Sequence, residues 1–492
     1  MIQVVPVRSA HRPIVRLDHI WLGLVPLLVA LKVLLTPIAP YDFWWHLAYG
    51  RAILLARAIP ANDPFSYTRS GEPFFNQPWL AQVSMYLGYQ LVGAAGLQIV
   101  QALVVAGAYA LLVSICESSG ADRRVAVVAT LLTASATYDN WNIRPQTYVL
   151  PFWVIVIGLL ERWRRKGHTP WMLVPLVALW SNLHGTFTLP LVLAGIFLVG
   201  ETIRFWRGVG ARSRDELLRL ASALGLAFVA SCLNPHGVRV WLYTFTLLRN
   251  RAISELVTEW APPQFGTAGG ALFFGLLLIA AIALIVRWRH LTMTELLALG
   301  PFLLLALSAS RNIIWFAALA AALIAGLWHG SYRRRKRESS TLNALLLALL
   351  CLPVILLSPA FKPGLNLPPR LGALLDPETP VAAVAAMQRL PVQPERLFHD
   401  LAAGSYLTWA MPDQAVFIDP RIEHYPLRQW HDYIRLGQGQ EVATLQARYD
   451  FDGYLINPVT QAGLLDVLQK DPRWQETVHT EAAILFQPAR SR

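Results

Sequence analysis

An acidic residue, two tryptophans and a histidine stand close together directly after the first long apolar run of the chain. They are Asp42, Trp44, Trp45 and His46. Tryptophan favours the boundary between lipid and water, because its ring is apolar and its N–H needs a partner. A carboxylate at that boundary can meet an amphiphilic substrate without entering hydrocarbon. We therefore expect a catalytic site in which Asp42 is the general base, with His46 one helical turn later on the same face. The alternative for Asp42 is a helix N-cap, which needs only an accepting oxygen.

Short polar connections elsewhere in the chain repeat a small set of residue types. The candidate substrate-binding residues in them are Asp139, Arg144, Gln146, Asn182, His184, His236 and Arg311. A guanidinium is costly near a membrane unless it is paired, and it can bind a phosphate at two points at once. Arg144 and Arg311 therefore predict an anion site, although either could instead pair with Asp42 or Asp139.

Weaker signals come from a turn and from the histidines. Asp63 precedes a proline in a predicted turn and is a secondary candidate, as are Trp44 and Trp45. His184 and His236 each precede a glycine, which also fits a helix-terminating turn. Together with His46 they could ligate a divalent metal, but no helix carries a carboxylate–histidine spacing, so the metal stays open and no other cofactor is indicated.

The composition is that of a membrane protein. Of 492 residues, 55% are hydrophobic and only 15% are charged, against about 25% in an ordinary soluble protein. Apolar runs of spanning length lie near 20–37, 95–117, 124–138, 146–161, 170–183, 185–204, 217–233, 269–287, 293–309, 312–329 and 341–357. We expect a polytopic α-helical protein of about eleven transmembrane helices, embedded in a lipid bilayer.

The net charge of +12 does not indicate a nucleic-acid partner, because of where the charge lies. Residues 1–357 hold 30 Lys and Arg against 15 Asp and Glu, whereas residues 358–492 hold 12 against 15. Basic runs at 162–166 and 333–337 fall between predicted spans, as cytoplasmic topology signals do. The pattern predicts a cytoplasmic N-terminus and gathers the candidate polar residues at the opposite, external face.

The predicted topology divides the chain into two domains. Residues 1–358 form the transmembrane domain, with long external loops at 38–94 and 234–268. Residues 359–492 alternate helix-like and strand-like segments, which predicts an extracytoplasmic α/β domain at the C-terminus.

Several of these motifs resemble one group of bacterial multispanning proteins. The resemblance is seen in the segments Asp42–Arg51, Asp63–Tyr67, Arg144–Gln146, Asn182–Gly185, Gly404–Tyr406 and Phe417–Arg421. The group is classed with the GT-C-type glycosyltransferases, such as the mannosyl- and aminoarabinosyltransferases. The resemblance implies a GT-C-like fold, a sugar donor carried on polyprenyl phosphate, and an acidic residue of the first external loop as base or metal ligand. That role transfers only to Asp42, which lacks the second acid of an Asp-Glu or Asp-x-Asp pair.

The family resemblance and the candidate polar residues at the predicted external face together indicate the expected function. It is an integral glycosyltransferase of the bacterial cytoplasmic (inner) membrane, active in cell-envelope glycan biosynthesis. It would transfer a hexose or pentose from the donor to an unidentified extracytoplasmic acceptor, a lipid, glycan or protein, with inversion. The alternatives are a non-catalytic envelope-assembly scaffold and, less favoured, a lipid or polysaccharide transporter, for which pseudo-symmetric halves would be expected.

Overall fold

A computed structural model describes residues 15–210, 212–328 and 339–489. The predicted topology signal at 333–337 lies outside the described residues. Up to residue 358 the described chain is helical. Its helices are α1 (Leu17–Leu35), α2 (Pro40–Ala56), α3 (Trp79–Ser118), α4 (Arg123–Thr137), α5 (Pro145–Tyr148), α6 (Leu150–Lys166), α7 (Leu173–Leu183), α8 (Thr188–Trp206), α9 (Arg214–Ala230), α10 (Arg239–Leu248), α11 (Arg251–Leu256), α12 (Ala268–Arg287), α13 (Met293–Ser308), α14 (Ile313–Ala325) and α15 (Ser340–Leu356).

A helix lies at each of the eleven predicted spans, so the mostly helical fold is confirmed. Among the described residues, four helical stretches are long and apolar enough to cross a membrane, judged by length and composition. They are Leu17–Leu35, Trp79–Ser118, Gly185–Trp206 and Ala268–His290. The others are shorter, so the number of crossings stays a prediction. The longest, α3, joins a predicted external segment to a predicted span and breaks at Gly93, whose φ of 66° suits glycine.

The C-terminal part of the chain contains a small mixed sheet. Its elements are α16 (Pro369–Gly372), α17 (Val381–Met387), β1 (Leu397–His399), α18 (Leu401–Ala410), α19 (Leu427–Gly437), α20 (Val442–Tyr449), β2 (Gly453–Ile456), α21 (Ala462–Lys470), β3 (Trp474–His479) and β4 (Ile484–Pro488). The strand order is β1-β2-β4-β3, with β1 parallel to β2 and the other pairs antiparallel. Strands β1 and β2 are fully buried, because apolar side chains of the sheet pack into hydrophobic clusters on both of its faces. The division at residue 358 stays a prediction.

Helix α2, which carries Asp42, is enclosed on nearly every side. Pro40 opens it with a preset φ, and the run Phe43–Gly50 is buried without interruption. One side packs on α3, where a Cβ at Gly50 would lie 2.2 Å from the Gln82 carbonyl oxygen. The other side packs on α18. The C-terminal region therefore covers this side of α2.

Hydrogen bonds connect α18 to α2 at two places, near the start of α2 and at Arg51. The Ser405 hydroxyl donates to the Tyr41 carbonyl at 2.6 Å and accepts from the Trp45 amide at 3.3 Å. Arg51 donates to the Thr408 and Trp409 carbonyls at 3.1 and 2.9 Å, at the C-terminal end of α18, where a cation is favoured. These contacts hold the first turn of α2 in one position.

A buried ion cluster ties the first long loop to the same region. Arg421 lies 2.7 Å from Asp63 and 2.5 Å from Asp419, and it donates to the Tyr49 hydroxyl at 3.1 Å. His424 lies 3.3 Å from the second Asp63 oxygen. Buried charges remain stable only when they are paired in this way. Asp63 thus joins the loop to the C-terminal region.

Candidate active site

A cavity of about 580 Å³ opens beside the first turn of α2. Seven of the residues singled out in the sequence line it: Asp42, Trp45, His46, Arg144, Gln146, His184 and Arg311. They come from α2, from the start of α5, and from the turns that precede α8 and α14. Helices α10 and α11 and the segment around Pro420 complete the walls. Polar residues from distant parts of the chain therefore share one space.

Asp42 occupies the third position of α2, since the helix begins at Pro40 and its N-cap is Ala39. It is therefore not the N-cap that the sequence offered as an alternative. Its side chain is 35% exposed and lies 3.5 Å from a terminal nitrogen of Arg144, which is only 8% exposed. A carboxylate in the first turn also interacts favourably with the helix dipole. Asp42 is thus an accessible carboxylate beside a buried cation.

Arg144 has two carboxylate partners at one terminal nitrogen. Besides Asp42, Glu259 accepts from Nη1 at 2.8 and 2.9 Å. Burial acts to lower the pKa of Arg144, but the Glu259 and Asp42 carboxylates outweigh it and hold that pKa above its ordinary value. Its Nε and Nη2 atoms are buried without a hydrogen-bond partner in the described residues. This leaves one edge of the guanidinium able to donate twice, as it does to phosphate.

Arg311 is the second cation of the cavity, and neutral groups hold it in place. It donates to the Gln146 side-chain oxygen at 2.7 Å and stacks over Trp260, with Cζ 4.8 Å from the ring centroid. Neither contact neutralises its charge. Two guanidiniums in one largely enclosed space make the cavity suited to an anion.

His46 and His184 are both held as neutral rings. The Gln82 amide donates to Nδ1 of His46 at 3.2 Å, and burial together with Arg144 lowers the pKa of His46 to about 3. Thr186 donates its backbone N–H to Nδ1 of His184 at 3.2 Å. In each ring the proton is therefore expected on Nε2. His46 is suited to donate a hydrogen bond, and Asp42 remains the base.

Five candidate residues do not line the cavity. They are Asp139, Asn182, His236, Asp63 and Trp44. The Asn182 side chain accepts a hydrogen bond from the Trp79 ring and donates one to the Leu233 carbonyl, so it connects α7 to two other segments. His236 donates from Nε2 to the Asn76 carbonyl oxygen at 3.1 Å, and its ring stacks on Phe75. Trp44 packs in an aromatic cluster with Tyr406 and Trp409. Asp63 belongs to the ion cluster of Arg421, and Asp139 lies beside Gly269.

Glu259, Tyr243 and Glu423 are among the polar residues of the cavity that the sequence did not single out. Glu259 pairs with Arg144, and Tyr243 donates to Glu423 at 3.0 Å. Glu259 could have been found, because it is one of two acids in the external loop 234–268. Glu423 carried no such signal, since acids are frequent in the C-terminal region. Burial raises the pKa of Glu423 above its ordinary value.

A metal centre is not apparent among residues 15–210, 212–328 and 339–489, where no group of three His, Cys, Asp or Glu side chains is placed to hold an ion. The metal that the sequence left open stays a prediction. His46, His184 and His236 do not meet in one ligand set, because His236 lies outside the cavity.

Comparison with known proteins gives a likeness of fold only. No protein-family model matches the chain, and no curated protein does. Two solved structures of a GT-C aminoarabinosyltransferase are similar to it over 95% of this chain and 97% of theirs. They are ArnT from Cupriavidus metallidurans in the apo state, at 13% identity and a TM-score of 0.49, and the same protein bound to undecaprenyl phosphate, at 14% and 0.47.

Proposed function

We propose that the chain is a membrane glycosyltransferase that moves a sugar from a polyprenyl-phosphate donor to an acceptor hydroxyl. One observation carries the proposal: an accessible carboxylate, Asp42, lies in the same cavity as two guanidiniums, those of Arg144 and Arg311. A base and an anion site are what displacement of a sugar from a phosphate requires.

The donor phosphate would bind at the edge of Arg144 that has no partner among the described residues, once binding uncovers that buried edge. Nε and Nη2 can donate two parallel hydrogen bonds to phosphate oxygens, and Arg311 adds a second positive charge across the cavity. As the bond between the anomeric carbon and the phosphate oxygen lengthens, negative charge grows on that oxygen. Fixed cations stabilise it there at no reorganisation cost.

Asp42 would accept the proton of the attacking hydroxyl. The acceptor oxygen forms a bond to the anomeric carbon, the carbon–oxygen bond to the phosphate breaks, and its electron pair leaves with the polyprenyl phosphate. A single displacement of this kind inverts the anomeric configuration. The neutral ring of His46 would donate from Nε2 to a sugar or phosphate oxygen.

The prenyl chain would follow the apolar wall of the same cavity. That wall is supplied by Leu189, Leu247, Leu256 and Leu305, from α8, α10, α11 and α13. Helix α10 also exposes Leu242, Phe245 and Leu248, as a helix in contact with lipid does. A lipid-borne donor could reach the cations along this path without its tail entering water.

A transfer assay tests the proposal. The purified full-length protein is incubated with polyprenyl-phosphate-linked sugars, labelled in the sugar, in the presence of envelope lipids and glycans. We expect one donor to be consumed, with label in a new product and free polyprenyl phosphate released. Asp42→Asn should lower the rate about 10²- to 10⁴-fold, the usual contribution of a general base. Asp139→Asn, outside the cavity, is the matched control and should retain the wild-type rate. Equal rates in wild type and Asp42→Asn would contradict the role of Asp42.

A further inference from the structure

A second cavity, of about 380 Å³, lies between α4, α12 and α14, away from the candidate active site. Six of its lining residues are alanines: Ala129, Ala280, Ala283, Ala320, Ala321 and Ala325. Small side chains leave a groove between these helices where larger ones would fill it. We call this space the alanine groove.

The length of the alanine groove matches one leaflet of a bilayer. Along α4 it runs from Arg124 to Thr133, nine residues apart, which at 1.5 Å per residue is about 14 Å. The hydrocarbon core of a membrane is about 30 Å thick, so one leaflet is about half of that. Val128 and Ile279, which line the groove, are 49% and 47% exposed, so it opens sideways to the surroundings of the helices.

One end of the alanine groove is basic. Arg124 lines it there, together with Trp328. The guanidinium of Arg287 lies over the Trp328 ring, with Cζ 4.7 Å from the centroid. Arg124 and Arg287 thus both lie at the end where the first residues of α4 meet the last residues of α12. Away from this end the lining is apolar apart from Thr133.

We propose that the alanine groove binds an anionic phospholipid, with one acyl chain between the helices and the headgroup phosphate at Arg124 and Arg287. The charge at the mouth selects the headgroup, because basic residues at a membrane surface attract anionic lipids. The alanines select the chain, because an acyl chain fills space that would otherwise lack contacts on one side. This site is separate from the proposed sugar transfer and does not depend on it.

Retention of lipid by the purified protein tests the proposal. The full-length protein in detergent is mixed with phosphatidylglycerol or phosphatidylcholine of the same chain length, and bound lipid is counted by native mass spectrometry. We expect one phosphatidylglycerol to be retained in preference to phosphatidylcholine. The double variant R124Q/R287Q should weaken that preference about 30-fold, from about fivefold for each basic residue. Arg289→Gln, on an exposed arginine over Trp288, is the matched control and should leave the preference unchanged.

Filling the alanine groove provides the second test. Ala280→Trp should abolish retention of the lipid, whereas Ile282→Trp, on the same helix but outside the groove, should not. The thermal unfolding of each variant shows that it is folded. Equal retention of the two lipids by wild type, or unchanged retention in Ala280→Trp, would overturn the proposal. So would a dimer that Ala280→Trp dissociates, because the groove would then be an interface between two copies.

Discussion

We expect Arg144 and Arg311 to contribute differently to phosphate binding, because of the two only Arg144 is paired with carboxylates. Arg144 is 8% exposed and has an unpartnered edge, whereas Arg311 is held by Gln146 and Trp260. We predict that Arg144→Gln lowers kcat/KM about 10²- to 10³-fold, as loss of a hydrogen-bond donor to a developing oxyanion does.

Arg144→Lys separates charge from geometry. Lysine keeps the positive charge but cannot donate two parallel hydrogen bonds, so we expect it to restore part of the lost rate and not all of it. Arg249→Gln, on an exposed arginine ten residues before Glu259, is the control. Full activity in Arg144→Gln would show that the phosphate does not bind there.

Glu259 competes with the donor for Arg144. Its carboxylate accepts from Nη1 at 2.8 Å, and a phosphate on the neighbouring nitrogens would face a like charge. A hydrogen bond to a charged group contributes about 1.5–3 kcal/mol. We therefore predict that Glu259→Gln lowers the KM for the donor about tenfold. Glu255→Gln, on an exposed acid of the same loop, should leave KM unchanged. A raised KM in Glu259→Gln would mean that Glu259 orders the site instead of competing for it.

At the scale of elements, α2 is positioned by two helices that approach it from opposite sides. Contact with α3 requires glycine at position 50, where a Cβ would lie 2.2 Å from the Gln82 carbonyl oxygen. Gln82 also donates to His46, so the same contact orients a ring of the cavity. The distance between α2 and α3 therefore sets the geometry of the site.

Gly50→Ala should destabilise the protein by about 1–3 kcal/mol, the usual effect of overpacking. We also expect reduced activity, because α2 must shift together with Asp42. Gly107→Ala, in α3 with open space around its Cβ, is the control and should be neutral or slightly stabilising. Thermal unfolding and the transfer rate measure the two effects. Wild-type values for both in Gly50→Ala would show that α2 does not depend on this close approach.

Much of this arrangement could be predicted from the sequence. The positions of the spans follow from apolar runs, and Asp42, Arg144 and Arg311 stand out because charges are rare in such a chain. The burial of α2 could not be predicted, because Ser405, which binds it, lies 360 residues away from Trp45. Gln82 was missed for a related reason: a polar residue in an amphipathic segment normally faces water.

For the molecule as a whole, the ion cluster around Asp63 couples the loop between α2 and α3 to the C-terminal region. The close contact with His424, the charge of Arg421 and a hydrogen bond from the Ser66 hydroxyl outweigh burial and hold the pKa of Asp63 below its ordinary value. A carboxylate whose pKa is lower in the folded than in the unfolded protein stabilises the fold at pH values above its unfolded pKa of about 3.9. This stabilisation is lost as the pH falls toward the pKa of the folded state.

We therefore predict that the contact between the loop and the C-terminal region weakens below about pH 4 and is insensitive to pH between about 5 and 7. Hydrogen exchange of residues 62–67, followed against pH, measures this. Asp63→Asn should show fast exchange already at pH 7, because removing one partner of a buried pair costs about 3–5 kcal/mol. Asp466→Asn, in an exposed pair with Lys470, is the control. Protection that is equal in wild type and Asp63→Asn would contradict this coupling.

The position of a bound donor tests the central claim most directly. A structure of the full-length protein with a non-transferable polyprenyl-phosphonate sugar would locate the phosphorus and the anomeric carbon. We predict the phosphonate oxygens within hydrogen-bond distance of Nε and Nη2 of Arg144, Arg311 on the far side, and Asp42 facing the anomeric carbon from the side opposite the phosphorus. A donor bound outside this cavity, or an anomeric carbon that Asp42 cannot reach through one acceptor hydroxyl, would contradict the account.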